Sequence, residues 1–231
     1  MRWRRDLTWN PRDLGWRIAA LFALGSFLFA LGSFPPYSQL VDGRLVGVTF
    51  VVGSIIFTAA GYGQFLQLIN EGDTCGSAAG ARRLWSWRPR TTLWWATVVQ
   101  LAGTLLFDAS TIDAMFEAFT TQETNRLVWA PDFFGSVAFV IASHLTWLTV
   151  CHRLWCVRRD DHDWWGALVN YAGSICFMAS AIASFTLTTT GKAVNTTIVN
   201  AGTFLGAVCF IMGAYLLLPP MRVEAPAPDG D

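Results

Sequence analysis

Charge is what this chain has least of. Only 14% of its 231 residues are Asp, Glu, Lys or Arg, against about 25% in ordinary soluble domains. That shortage excludes a surface built for water. Acidic and basic residues balance to a net charge of zero, so there is no basic footprint for nucleic acid. Lysine occurs once, as Lys192. Its place in a connector excludes a retinal-type Schiff base inside a helix, and the spans hold no histidine pair for haem. There is no Gly-rich phosphate loop ending in Lys, no Gly-x-Ser-x-Gly elbow and no His-Glu-x-x-His zinc motif. Nothing therefore supports an enzyme, and no cofactor is expected. The five cysteines are Cys75, Cys151, Cys156, Cys176 and Cys209. None falls on an outer loop of the topology below, so no disulfide framework is expected. Cys151-His152 with Cys156 fits no common zinc spacing and reads as ordinary thiols at a helix end.

What the chain has instead is apolar length. Hydrophobic residues make up 53% of it. Several runs reach the roughly 20 residues that cross a hydrocarbon core of about 30 Å. They lack the two-residue alternation of barrel strands, so they read as helices. Six spans are expected, at roughly 17–35, 45–68, 91–109, 128–150, 164–187 and 194–218. Residues 1–16 read as a cytoplasmic segment and 219–231, rich in Pro, Ala and Asp, as a disordered cytoplasmic tail. In the connector 110–127, Ile112, Met115, Phe116 and Phe119 are spaced for a short amphipathic helix on the membrane surface. Ala30-Leu-Gly32 faintly resembles a signal-peptide cleavage site. The first helix, however, carries the same repeated unit as the others, which favours a retained span.

Basic residues set the orientation. Arg44, Arg126 and Lys192 lie in the outer loops, and the other 13 of the 16 Lys and Arg lie in the inner segments. That bias places both termini in the cytoplasm. Eleven of the twelve tryptophans fall toward the same face, with Trp129 the exception.

One five-residue unit recurs through the spans. It reads Gly25-Ser-Phe-Leu-Phe29, Gly53-Ser-Ile-Ile-Phe57, Gly103-Thr-Leu-Leu-Phe107, Gly135-Ser-Val-Ala-Phe139, Gly173-Ser-Ile-Cys-Phe177 and Gly202-Thr-Phe-Leu-Gly206. The glycines are 28, 50, 32, 38 and 29 residues apart. Short and long gaps alternate, which predicts three helical hairpins at about 17–68, 91–150 and 164–218. Trp16, Trp94 and Trp164 each precede the odd-helix glycine by nine residues, and Arg44 and Arg126 precede the even-helix glycine by the same distance. The third hairpin breaks this rule with Ala193, one place after Lys192. Lipid gives helices no hydrophobic reason to associate, so small residues that let backbones approach read as packing contacts. A narrow lumen lined by the six hydroxyls is the other reading.

The stretches Trp94-Trp95 through Gln100-Leu-Ala-Gly-Thr104 and Phe107, Val128-Trp-Ala-Pro-Asp132-Phe-Phe-Gly-Ser136, Trp164-Trp165 through Asn170 and Gly173-Ser174, and Asn200-Ala-Gly-Thr-Phe-Leu-Gly206 resemble bacterial membrane proteins with YrhK-like domains. The resemblance runs from about residue 12 to 218. It implies a membrane location and a fold in which two helices with a Gly-Ser-x-x-Phe unit make one domain. It implies no activity, cofactor or substrate, and it carries over no functional residue.

Ionisable residues inside spans are the default functional candidates. Asp108 lies five residues outward of Gly103, and Asp132 three residues outward of Gly135. If the two glycines share a depth, the carboxylates differ by only about 3 Å and pair near the outer mouth, sharing a proton or holding a cation. The bland alternative puts both at the headgroup boundary, with Asp132 capping a helix start after Pro131. His144 is a candidate for proton or metal work, or a hydrogen-bonding partner for a neighbouring helix. Gln64, Gln100, Asn170 and Asn200 are neutral polar groups suited to interhelical hydrogen bonds. If Gln100, His144 and Asn170 converge, they open a polar pocket toward the cytoplasm.

These features predict an all-α polytopic integral membrane protein of six transmembrane helices, multi-pass in the cell membrane. Its partners are the lipid bilayer and either a second copy or another membrane protein. The expected role is that of a non-enzymatic structural or accessory component. A small channel or transporter for a proton, cation or small solute is the alternative.

Overall fold

Most of the long helices start where a short polar side chain holds their free N–H groups. In the computed structural model, which describes residues 9–70, 83–116 and 119–218, α1 spans Leu14–Ser33 and its N-cap Asp13 accepts from Trp16 N. Pro35-Pro36 end that span and begin a six-residue helix, α2, Pro35–Leu40. Helix α3 runs Gly43–Asn70, with Asp42 accepting from Leu45 N at 2.8 Å. Helix α4 runs Thr92–Asp113. A capping box of Thr120 and Glu123 opens the short α5, Thr121–Glu123. A π-helical stretch, Thr124–Trp129, leads on into α6, Ala130–Cys151. The widened turn lies just before Pro131, whose missing N–H interrupts the regular ladder. Helix α7 is His162–Ala183, capped by Asp161, and α8 is Thr196–Leu217, capped by Asn195. Among the described residues there is no sheet, only an isolated bridge between Thr186 and Ala193. Residues 1–8, Cys75, Arg82, Glu117 and the proline-rich tail lie outside the described residues.

The fold is all-α. Five stretches are long and apolar enough to cross a membrane: α1, α3, the continuous Thr121–Cys151, α7 and α8. Helix α4 is as long as α7, 22 residues, but Trp94, Trp95, Gln100 and Asp108 lower its apolarity. It continues through Asp113, so Ile112 belongs to it. Met115 reaches Gly47 of α3. The surface helix expected over 110–127 is therefore replaced by the end of α4, the capping box and the start of the π stretch.

The six long helices form a closed ring. Each touches its chain neighbours, and α8 returns to pack on α1. The ring is sorted opposite to a soluble protein. Large apolar side chains such as Phe27, Leu105, Ile182 and Leu205 are more than half exposed on the outside. Glycine, alanine and hydroxyl residues fill the contacts. A Cβ built on Gly25 would lie 2.9 Å from the Gly53 carbonyl oxygen, one on Gly135 3.1 Å from that of Gly103, and one on Gly173 3.1 Å from that of Gly206. At these crossings one backbone lies directly on another, which only a residue without a side chain permits.

The last of these contacts corrects the register of the sixth unit. Gly206, rather than Gly202, opposes Gly173, and four residues on stands Phe210 in the position of the other five phenylalanines. The unit is Gly206-Ala-Val-Cys-Phe210, with Ala207 in place of the hydroxyl residue. Gly202 lies one turn earlier, against Cys176 O and Ser180 of α7.

Gly206→Ala should lower stability by about 1–3 kcal/mol, because its Cβ meets the Phe177 ring and the Gly173 backbone. Gly166→Ala, where a Cβ meets nothing within 4 Å, should be neutral or stabilising by up to about 1 kcal/mol. Thermal unfolding of both variants in one detergent makes the comparison.

Candidate functional site

The Gly-to-Phe offset of four residues brings six rings to the middle of the bundle. Phe29, Phe57, Phe107, Phe139, Phe177 and Phe210 come one from each long helix, and each is 5–8% exposed. They interlock: Phe107 stacks on Phe139 at 5.0 Å, Phe177 stacks on Phe210 at 5.3 Å, and Phe29 meets Phe107 and Phe177 edge-on at 6.4 and 5.9 Å. Such stacked and edge-to-face pairs each add about 0.5–1.5 kcal/mol beyond burial. With Ser26, Ser54 and Thr104 they enclose about 10 Å³, the lower limit for one water. The hydroxyls do not make an open lumen. Ser54 and Thr104 donate to carbonyls of their own helices at Val51 and Leu101, and Ser136 donates across to the Phe177 carbonyl of α7 at 3.5 Å. Ser26 Oγ is buried without a partner.

On the tryptophan-rich side of this plug the bundle opens. A cavity of about 510 Å³ is lined by Phe22, Thr146, Thr149, Asn170, Phe210 and Leu216, among others from all six long helices. A smaller space of about 20 Å³ continues it, lined by Gln100, Ser143, Asn170 and Ser174 against Phe57, Phe139 and Phe210. The structure thus brings Gln100 and Asn170 together. His144 does not line this space; its ring packs on Tyr171 of α7 with centroids 6.0 Å apart. Gln100 donates weakly to Gln64 at 3.4 Å, and Ser143 and Ser174 share a hydrogen bond of 2.8 Å. The Asn170 side chain faces the cavity, and Gly213 leaves room for it: a Cβ there would lie 3.0 Å from Asn170 Oδ1. Asn200 is elsewhere, in a cleft of about 340 Å³ between α1 and α8 at the opposite end.

The two carboxylates do not pair. Asp108 accepts from Thr58 of α3 at 2.8 Å, and its second oxygen is buried without a partner. Asp132 accepts from Ser184, just past α7, at 3.3 Å. The first faces the seam between α3 and α4, the second the seam between α6 and α7. A shared depth, the premise of the expected pairing, says nothing about azimuth. No cluster of three or more His, Cys, Asp or Glu able to hold a metal occurs among the described residues.

Sequence reasoning missed a second match, in the connectors on the tryptophan-rich side. Leu84-Trp85-Ser-Trp87-Arg88 before Trp94-Trp95 aligns with Leu154-Trp155-Cys-Val157-Arg158 before Trp164-Trp165 at a constant offset. The bonds repeat with the letters. Trp94 Nε1 donates to Ser86 O and Trp164 Nε1 to Cys156 O, at 2.9 and 3.0 Å. Trp95 and Trp165 reach Pro89 O and Arg159 O, both at 2.9 Å. Arg88 caps the end of α3 at Ile69 O, and Arg158 the end of α6 at Val150 O, where a cation suits the helix dipole. The signal available was the constant spacing of Arg to Trp-Trp across charge-poor sequence.

The second connector also corrects the reading of the cysteines. Cys151 and Cys156 form a disulfide, with Cα atoms 5.5 Å apart. His152 ends α6 in the left-handed conformation, φ 52°, and this turn folds Cys156 back onto the helix end.

Comparison with family models, with curated proteins and with solved structures finds no match.

Because Asp108 and Asp132 share no partner, the double variant Asp108→Asn with Asp132→Asn should be additive in stability within about 0.5 kcal/mol of the two singles. A larger coupling in the double-mutant cycle would show that the two groups meet.

Proposed function

We propose that this chain is a non-enzymatic integral membrane protein, a structural or accessory component of the cell membrane. It crosses the bilayer six times as three helical hairpins, α1 with α3, α4 with α6 and α7 with α8, with both termini on the cytoplasmic side. The observation that carries the reading is the plug: six phenylalanine rings leave about 10 Å³ at the bundle axis, too little for a conducting water file. The three glycine crossings support the hairpin assignment. They also support the proposed kinship with bacterial YrhK-like membrane proteins. Helix α4 is counted as a span because it holds a place in the ring between α3 and α6, where Asp108 and Gln100 bond to Thr58 and Gln64 of α3. The disulfide lies on the arginine-rich face, where a reducing cytoplasm keeps most thiols reduced. In this reading Cys151 and Cys156 are a dithiol in the resting cell.

A channel or transporter is the second reading. The cavity on the tryptophan-rich side favours it, since it reaches the plug from one face. Passage then requires the six rings to part.

Proteoliposomes of the purified protein should show no proton, potassium or sodium flux above empty vesicles under imposed gradients. Flux that is abolished by Asn170→Leu would favour the transporter. Reporters fused before residue 9 and after residue 220 should both respond as cytoplasmic. Reporters on opposite faces would mean five spans, with α4 not crossing.

A further inference from the structure

We infer that the cavity on the tryptophan-rich side is a binding site for a neutral small molecule with an apolar body and one amide-, carbonyl- or hydroxyl-type end. The inference rests on the closed ring described above but not on orientation, span number or flux. The size fits: about 510 Å³ lies within the range of roughly 300–1,000 Å³ typical of small-molecule sites. So does the lining, mostly apolar with a few polar groups at the deep end.

The polar groups select the charge of the occupant. No Lys or Arg lines either space, and the one histidine, His162, stands at the first position of α7 beside Asp163, so an anion that reaches Gln100 and Asn170 has no partner there. The one carboxylate is Asp163, in the first turn of α7. It is exposed at the mouth. A cation that entered far enough to touch Gln100 and Asn170 would leave that carboxylate behind, and burying an unpaired charge is costly. A neutral polar end meets no such penalty. Asn170 offers two N–H donors and a carbonyl to the cavity, and no hydrogen bond of its side chain is formed within the described residues. Thr146 and Thr149 donate to their own helix at Ala142 O and Thr146 O, which leaves their oxygens as acceptors. The apolar body lies among Phe22, Phe210, Leu216 and Leu217. Gly166 borders the cavity with nothing within 4 Å of a Cβ, so a side chain placed there enters the empty space.

The test uses three isosteres: 1-naphthamide, 1-naphthoate and 1-naphthylmethylammonium. Binding is measured by equilibrium dialysis to the full chain in lipid nanodiscs, with empty nanodiscs subtracted. The neutral amide should bind saturably and at least tenfold tighter than either charged analogue. Asn170→Leu should weaken it tenfold or more, Asn170→Gln should recover part of the loss, and Gly166→Trp should abolish binding while the melting temperature holds. Three results would overturn the inference: no saturable binding of the amide, a charged analogue binding as tightly, or an unchanged affinity in both Asn170→Leu and Gly166→Trp. None of these bears on whether the protein conducts, which the proteoliposome measurement decides separately.

Discussion

Everything in this molecule depends on how closely two helix backbones can approach. In lipid, apolar side chains gain nothing by turning inward, so association must come from packing and from a few hydrogen bonds. Each of the three tightest pairs solves this with one glycine on another. The approach is so close that a single methyl group would lie about 3 Å from a facing carbonyl. Once the crossing point is set, the next turn of each helix is set as well. A residue four places along points the same way, and in all six helices that residue is phenylalanine. The plug is thus a consequence of the crossings.

The plug in turn divides the axis. On one side Asn200 lies in a cleft between α1 and α8; on the other, the helices splay around Gln100 and Asn170. Had the six rings been smaller, the hydroxyls beside the glycines would have lined a continuous path. Instead all but Ser26 turn back onto backbone carbonyls or bond to a neighbouring helix, and the plug leaves only about 10 Å³. Tryptophan and arginine finish the open end. Trp94 and Trp164 fold their indoles onto the connector backbones, while Arg88 and Arg158 satisfy the last carbonyls of α3 and α6. The two connectors at that end are therefore held by the same pair of repeated hooks.

Much of this was legible in the sequence. The helices and their approximate limits follow from composition and period alone. The sixth unit was misread because Gly202-Thr203 matches the local pattern better than Gly206-Ala207 does. Only the partner helix distinguishes them, through Gly173 and Phe177. Asp108 and Asp132 bond into different seams, since depth along an axis carries no information about direction around it. The disulfide was hidden for a similar reason: Cys156 stands five positions after Cys151, and only the left-handed turn at His152 closes that gap. His144 looked like a pocket residue by its depth, but its side of α6 faces Tyr171.

Ring closure is the central claim, since without α8 on α1 there is neither a plug nor a cavity behind it. Phe34 and Phe204 stack across that last seam with centroids 5.9 Å apart. Cysteines at these two positions, in a chain whose native cysteines are replaced by serine, should be joined in native membranes by a short bifunctional thiol reagent. The product should be a cross-linked monomer with altered gel mobility. Cross-links that appear only between chains, or none under conditions that join a control pair within α7 and α8, would contradict the closed six-helix ring.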